Sequence, residues 1–245
     1  MQTENPPQWK HSTAQIELYN NDIHNEIIRR MKDIAIFGAG GFGREVACIL
    51  EKINEVEPTW NLVGFFDDDP DLKGKMISHF APCLGGVDVL NAYDKEIGVA
   101  ITIGCPKTVE KVVGKIINSN VWYPNIIHPN FVMADEQTFT IGKGNIIQRD
   151  CKVSCDVTIG DFNVLNGNTA MGHDVNVGSY NVFMPAARIS GQTNIGDKNF
   201  FGVGCIVLQQ MKIGNEIRLG AGSVLMTKPK DGFLYMGNPA KKTVL

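Results

Sequence analysis

The chain has 245 residues, 43% of them hydrophobic and 20% charged, with a formal net charge of -3. That length can bury a substantial core in one large or two small domains, and the near-neutral balance gives nucleic acid or an anionic membrane no electrostatic hold. No apolar run approaches the ~20 residues of a membrane span, no basic region followed by an apolar stretch opens the chain, and six cysteines (48, 83, 105, 151, 155, 205) lack CxxC spacing, so a cytoplasmic protein with free thiols is expected.

Residues 1-31 form a leader rich in Gln, Asn and Glu. Ile16, Tyr19, Ile23 and Ile27 follow helical spacing after a cap at Ser12 or Thr13, which fits a short amphipathic helix, with a mobile tail as the alternative. No chemistry attaches to it.

Residues 32-129 alternate strand and helix. Ile34 to Phe37 is an apolar strand, Gly38-Ala39-Gly40-Gly41-Phe42-Gly43 a Gly-rich turn, and Val46, Ile49, Leu50 and Ile53 an apolar stripe on the helix that follows. A second strand, Asn61 to Phe66, ends in Asp67-Asp68-Asp69-Pro70. After a loop come a strand at Val99 to Ile103, a helix carrying Val109, Val112, Val113, Ile116 and Ile117, and a strand from Val121 to Ile127. This alternation predicts an α/β domain with a parallel sheet covered on both faces. The turn matches GxGxxG between strand and helix, where glycine lets a phosphate approach the backbone and the helix N-terminus supplies free N–H groups. Fewer than a hundred residues make about one mononucleotide half, so one nucleotide or nucleotide-linked ligand fits better than a dinucleotide; a turn serving only packing is the bland alternative.

From residue 130 the period changes. Ile141, Ile147, Val153, Ile159, Leu165, Met171, Val177, Phe183, Ile189, Ile195, Phe201, Val207, Ile213, Leu219 and Leu225 are apolar at every sixth position. Glycine follows directly at 142, 160, 172, 178, 196, 202, 214 and 220. A period of six is a hexapeptide-repeat parallel β-helix over 130-245. Strand alternation turns the large residue and the small one two positions earlier inward and the one between them outward; the other three residues make a corner, where Gly or Asn tolerates positive φ. Three sides close an eighteen-residue coil, so five coils give a prism roughly 24 Å tall at ~4.8 Å per rung.

The prism holds one histidine, His173, beside Asp174, and the register puts it on a corner facing out. Imidazole titrates near neutral pH and can take a proton from an attacking amine or hydroxyl, while a neighbouring carboxylate orients it. A metal site of three converging histidines is not available to a prism with one, so no metal is expected. Cys151 and Cys205 fill inward slots, which argues against a thiol intermediate.

Together IAIFGAGGFGREV, the strand ending GFFDDDP, the junction Ile127-His128-Pro129, the hexapeptide prism and Gly237-Asn238-Pro239-Ala240-Lys241 resemble the nucleotide-sugar acetyltransferase family: bacterial aminosugar N-acetyltransferases and the sialic acid O-acetyltransferase type. The resemblance covers residues 32 to 245. It implies a Rossmann-like N-terminal domain, a left-handed β-helix, a homotrimer, acetyl-CoA as co-substrate lying between subunits, and a nucleotide-sugar acceptor. By position it implies His173 as general base, Asp174 as its orienting partner and the Gly191 N–H as oxyanion donor. It sets Gly191, Gly202, Gly220, Ala221 and Lys241 along CoA, with Gly38, Gly40, Gly41 and Gly43 facing pyrophosphate and Asp67 or Asp68 at the base or ribose. Phe42 and Gly104-Cys105-Pro106-Lys107-Thr108 depart from the histidine and the Asn and Arg common in the family. The reaction implied is N-acetylation of an amino sugar; O-acetylation of a sugar or other hydroxylated metabolite uses the same base, and a noncatalytic trimeric nucleotide-binding scaffold is the reading of another class.

Overall fold

The computed structural model describes residues 31–243. The helix expected within the leader falls on residues outside that range.

Strand β1 (Lys32–Phe37) carries Ile34, Ala35 and Ile36 fully buried, because parallel neighbours lie on both sides: β2 (Trp60–Phe66) and β5 (Ile97–Ile101). Helix α1 (Gly41–Val56) lays Val46, Ala47, Ile49 and Leu50 on this sheet, and α3 (Pro106–Lys115) adds Val109 and Val112. The sheet has the Rossmann-like order β3-β4-β2-β1-β5-β6, with β3 (Met76–Ile77) and β4 (Ala81–Gly85) beyond β2 and β6 (Val121–Trp122) beyond β5, so β2 and β5 flank β1 on opposite sides.

Two details differ from the sequence reading. The stretch expected as a loop after the Asp-rich turn contains β3 (Met76–Ile77), β4 (Ala81–Gly85) and the short helix α2 (Val87–Asn91). Pro82 and the pair Gly85-Gly86 masked them, and the proline is tolerated because β4 lies near the sheet edge. The single strand expected from Val121 to Ile127 is two. β6 (Val121–Trp122) closes the first sheet, Pro124 interrupts pairing because it has no N–H, and β7 (Ile126–Ile127) already belongs to the prism.

The prism is a left-handed parallel β-helix of three sheets whose two-residue strands pair eighteen residues apart, as in Leu165↔Phe183 and Phe183↔Phe201. Its first side runs through Ile126–Ile127, Ile146–Ile147, Val164–Leu165, Val182–Phe183, Phe200–Phe201, Arg218–Leu219 and Leu234–Gly237. These seven parallel rungs extend the five coils read from the repeat at both ends, to about 34 Å at ~4.8 Å per rung. The second side holds Ala170–Met171 and Arg188–Ile189, the third Asn176–Val177 and Asn194–Ile195.

At the corners the chemistry differs from expectation. Every sixth residue from Gly144 to Gly222 has positive φ, and most are not glycine: Asp150, Phe162, Asp174, Tyr180, Ala186, Gln192 and Lys198 among them. Each conformation costs on the order of 1 kcal/mol. At most corners it is offset by a hydrogen bond to the coil below, seen in Asp174 N→Cys155 O at 3.1 Å, Tyr180 N→Asp161 O at 2.8 Å and Gln192 N→His173 O at 2.8 Å. The repeated glycines after the apolar residues serve close approach instead: a Cβ on Gly160 would lie 2.6 Å from the Gly178 carbonyl oxygen, and one on Gly196 2.7 Å from that of Gly214.

One corner is bound by a ladder of fully buried asparagines, Asn145, Asn163, Asn181 and Asn199. Asn181 Nδ2 donates to Asn163 Oδ1 (3.0 Å) and to Gly196 O (2.9 Å), while its own Oδ1 accepts from the Asn199 N–H (2.9 Å). On the first side the outward slots Ile126, Ile146, Val164 and Val182 are 0–3% exposed, because the α/β domain packs there; the matching third-side slots Thr158, Asn176, Asn194 and Lys212 face solvent.

Asn181→Ala strands several buried partners at once, each worth about 1–3 kcal/mol when left unsatisfied. Denaturant unfolding at fixed protein concentration should show a loss of about 3 kcal/mol or more, against less than about 0.5 for the exposed Asn176→Ala. Equal effects would remove the ladder as a stabilising element.

Candidate active site

The hexapeptide from Met171 to Asn176 turns the corner between the second and third sides. Met171 and Val175 point inward, Asp174 takes the left-handed conformation (φ 56°), and His173 and Asp174 project outward, both more than half exposed. His173 Nδ1 lies 2.6 Å from Asp174 Oδ2. An ionised carboxylate only accepts, so Nδ1 carries the shared proton and the Nε2 lone pair is free. One coil above, Gly191 leaves the space that Nε2 occupies: a Cβ there would stand 2.7 Å from it. The Gly191 carbonyl accepts from Gln210 N (2.9 Å), whereas its N–H meets no acceptor among the described residues. A proton acceptor and an open backbone donor therefore sit side by side on one corner.

Gly202, Gly220 and Ala221 occupy a different corner, between the first and second sides. A Cβ on Gly202 would lie 2.5 Å from Ala221 N, and one on Gly220 2.8 Å from Met236 Cγ. Met236 pairs with Lys241 in the closing antiparallel hairpin, so Lys241 comes to the top of that corner. The fold thus gathers these four residues and keeps them apart from His173, Asp174 and Gly191 by the width of the second side.

In the α/β domain Gly38 has φ +112°, and a Cβ on it would press 2.6 Å from Thr102 Oγ1; a Cβ on Gly43 would collide with the Gly38 carbonyl. Gly40 and Gly41 face open space, and Gly40 caps α1 without a side chain, leaving the helix N-terminus bare. Asp67 bridges main chain: Oδ2 accepts from Ala39 N (2.8 Å) and Oδ1 from Asp69 N (3.0 Å). Asp68 Oδ1 accepts from Val87 N (2.9 Å). Both acids line a cavity of about 800 Å³ with Lys73, Gly86, Asn91 and Lys115. Part of their acceptor capacity thus holds loops together, and the rest faces the cavity.

Burial pushes the Cys151 thiol up to about 11 and that of Cys205 up to about 12, so neither supplies a thiolate. No group of three or more His, Cys, Asp or Glu side chains suited to a metal occurs among the described residues. The sequence reading missed the junction between domains, where Lys107 pairs with Glu216 (2.8 Å), Lys198 with Glu110 (3.1 Å), and Arg218 stands over Phe200. Its signal was present: the outward slot of every third hexapeptide (146, 164, 182, 200) is apolar, unlike those of the third side.

Residues 33–116 match the family described as the PglD N-terminal domain. No curated protein matches the chain by sequence. The acetyltransferase domain of PglB from Neisseria gonorrhoeae FA1090, solved also with acetyl coenzyme A, superposes with a TM-score of 0.78 at 26% identity, covering 86% of this chain and 100% of that one. WeeI from Acinetobacter baumannii AYE gives 0.76 at 26%, covering 87% and 100%. PerB from Caulobacter crescentus, solved with CoA and GDP-perosamine, gives 0.76 at 24%, covering 86% and 97%. The match extends over both domains in the same order.

Iodoacetamide should modify the exposed Cys48 and Cys105 in the native protein and spare Cys151 and Cys205 until denaturant is added. Peptide mass spectrometry reads the result; native labelling of either inward thiol would contradict the packing described.

Proposed function

We propose that this chain, an acyltransferase with the two-domain architecture of the PglD-like sugar acetyltransferases, moves acetyl from acetyl-CoA to an amino group of a nucleotide-linked sugar by direct attack. The observation that carries the reading is the His173–Asp174 pair with Nε2 against Gly191. The acceptor amine adds to the thioester carbonyl while His173 Nε2 removes its proton, and Asp174 holds the imidazolium that forms. The carbonyl oxygen becomes an oxyanion, for which the Gly191 N–H is the donor. Collapse of the tetrahedral adduct breaks the C–S bond, and the CoA thiolate takes the proton back from His173, leaving amide and free thiol.

Acetyl-CoA is bound by the PglB domain of the same architecture, and here Gly202, Gly220, Ala221 and Lys241 offer a small-residue path ending in a cation. That path lies on another corner from His173. A thioester held there reaches an imidazole most directly from a neighbouring copy, which supports a homotrimer with shared sites. The open Gly40-Gly41 turn, the bare α1 N-terminus and the Asp67–Asp68 cavity support a nucleotide-linked acceptor in the first domain. Use of acetyl-CoA fits a cytoplasmic enzyme.

His173→Ala should lower kcat by about 10²–10⁴-fold with the KM for acetyl-CoA within a few-fold, and Asp174→Asn by about tenfold. Gly191→Ala, which drives a methyl into the imidazole, should lose about 10²-fold without loss of Tm. Thiol release from acetyl-CoA with UDP-, GDP- and dTDP-linked 4-aminosugars is the assay; undiminished turnover in His173→Ala would overturn the assignment. Sedimentation should return three times the 26.9 kDa chain mass, and a monomer would remove the shared site.

A further inference from the structure

The cavity between the start of α3 and the first side of the prism is used by none of the residues assigned above. It encloses about 280 Å³ and is lined by Cys105, Pro106 and Lys107 from the first domain and by Lys198, Phe200, Glu216 and Arg218 from the second. Its place in the fold is informative. The loop through Gly104 and Cys105 leads from the carboxyl end of β5, next to β1, into α3, at the point where the strand order reverses; open α/β sheets bind ligands in the crevice at that point. Thr102 Oγ1, within hydrogen-bond distance of Phe37 O and Gly38 O (both 2.9 Å), ties the base of this loop to the Gly-rich turn.

The charges at the rim are not equivalent. Lys107 is matched by Glu216 at 2.8 Å and Lys198 by Glu110 at 3.1 Å, and both pairs cross between domains. Arg218 makes no ion pair among the described residues. Its guanidinium carbon stands 5.7 Å from the centre of the Phe200 ring, a contact that orients the group, and its N–H edges make no hydrogen bond among the described residues. Cys105 senses this field: its thiol is held below the ordinary range, first by the Thr108 hydroxyl, then by the backbone N–H groups of Thr108 and Lys107, and also by the Arg218 charge.

We infer that this cavity is a second anion subsite, beside the Gly-rich turn, for the phosphate groups of the nucleotide-linked acceptor, with Arg218 as the recognising residue. The inference rests on the acceptor class proposed above. A guanidinium fork matches phosphate and carboxylate alike, and the crevice at the switch point favours phosphate. Arg218 is thereby a binding residue, distant from the His173 corner, and contributes to acceptor affinity and not to the chemical step.

The test uses the full chain with Cys48→Ser and follows iodoacetamide modification of Cys105 by peptide mass spectrometry. UDP, GDP, dTDP, inorganic pyrophosphate, the unphosphorylated nucleosides and glucuronate serve as probes. At least one nucleoside diphosphate should protect Cys105. Arg218→Gln should raise the half-protecting concentration by about tenfold or more, Arg218→Lys by less, and the distant exposed Lys95→Gln not at all. The acceptor KM in Arg218→Gln should rise by a similar factor with kcat and the KM for acetyl-CoA unchanged. Protection at the same concentration in wild type and Arg218→Gln, with turnover of a nucleotide sugar intact, would overturn the subsite alone. Arg218-dependent protection by pyrophosphate without acetylation of any nucleotide sugar would keep the subsite and overturn the acceptor reading. Protection by glucuronate with none by pyrophosphate or the diphosphates would overturn the assignment to phosphate. An unchanged Tm in Arg218→Gln separates lost binding from lost packing.

Discussion

The left-handed corner residue is the constraint on which the second domain depends. Once every six residues the backbone adopts a conformation that L-residues disfavour, and at most corners its N–H then meets a carbonyl of the coil below. The turn and the vertical hydrogen bond are one event, so coils stack in strict register and every eighteenth residue forms a column. Strands of two residues could not hold a sheet together alone. Bonded at each corner and filled by an inward apolar column, including the stacked rings of Phe183 and Phe201, they form a rigid post.

That post does two things for the site. It places His173 and Gly191 in one column, where the spacing of coils sets the distance between a base and a backbone donor independently of any loop. It also offers flat sides of different chemistry. From Ile126 to Phe200 the first side carries apolar outer residues and takes the α/β domain; the third keeps Thr158, Asn176, Asn194 and Lys212 in solvent. Lys107–Glu216 and Lys198–Glu110 cross the same junction, fixing where the carboxyl edge of the first sheet meets the prism.

Glycine plays opposite parts in the two domains. At Gly38 it supplies a backbone region closed to other residues, and at Gly40 and Gly41 it leaves space for a ligand. In the prism Gly160 and Gly196 have ordinary backbone and exist because the next coil passes where a side chain would be. The corners that were expected to need glycine use Phe162, Tyr180 or Gln192, because the hydrogen bond gained there offsets the conformational cost.

By itself the sequence determined the solenoid, its register and the outward position of His173 and Asp174, since a sixfold period leaves each residue one place on the coil. It also marked the Gly-rich turn and the first two strands of the α/β domain. Tertiary structure decided the rest. Pro82 and Pro124 disguised a strand and split another, because whether a proline is tolerated depends on which edge it faces. Asp67 and Asp68 proved to brace main-chain loops as well as line a cavity, through partners 28 and 19 residues away. Arg218 reads in sequence as one more outward cation. Only the docking of α3 against the first side sets it at the rim of a cavity, since charge becomes recognition when two distant segments meet beside it and no carboxylate among the described residues matches it.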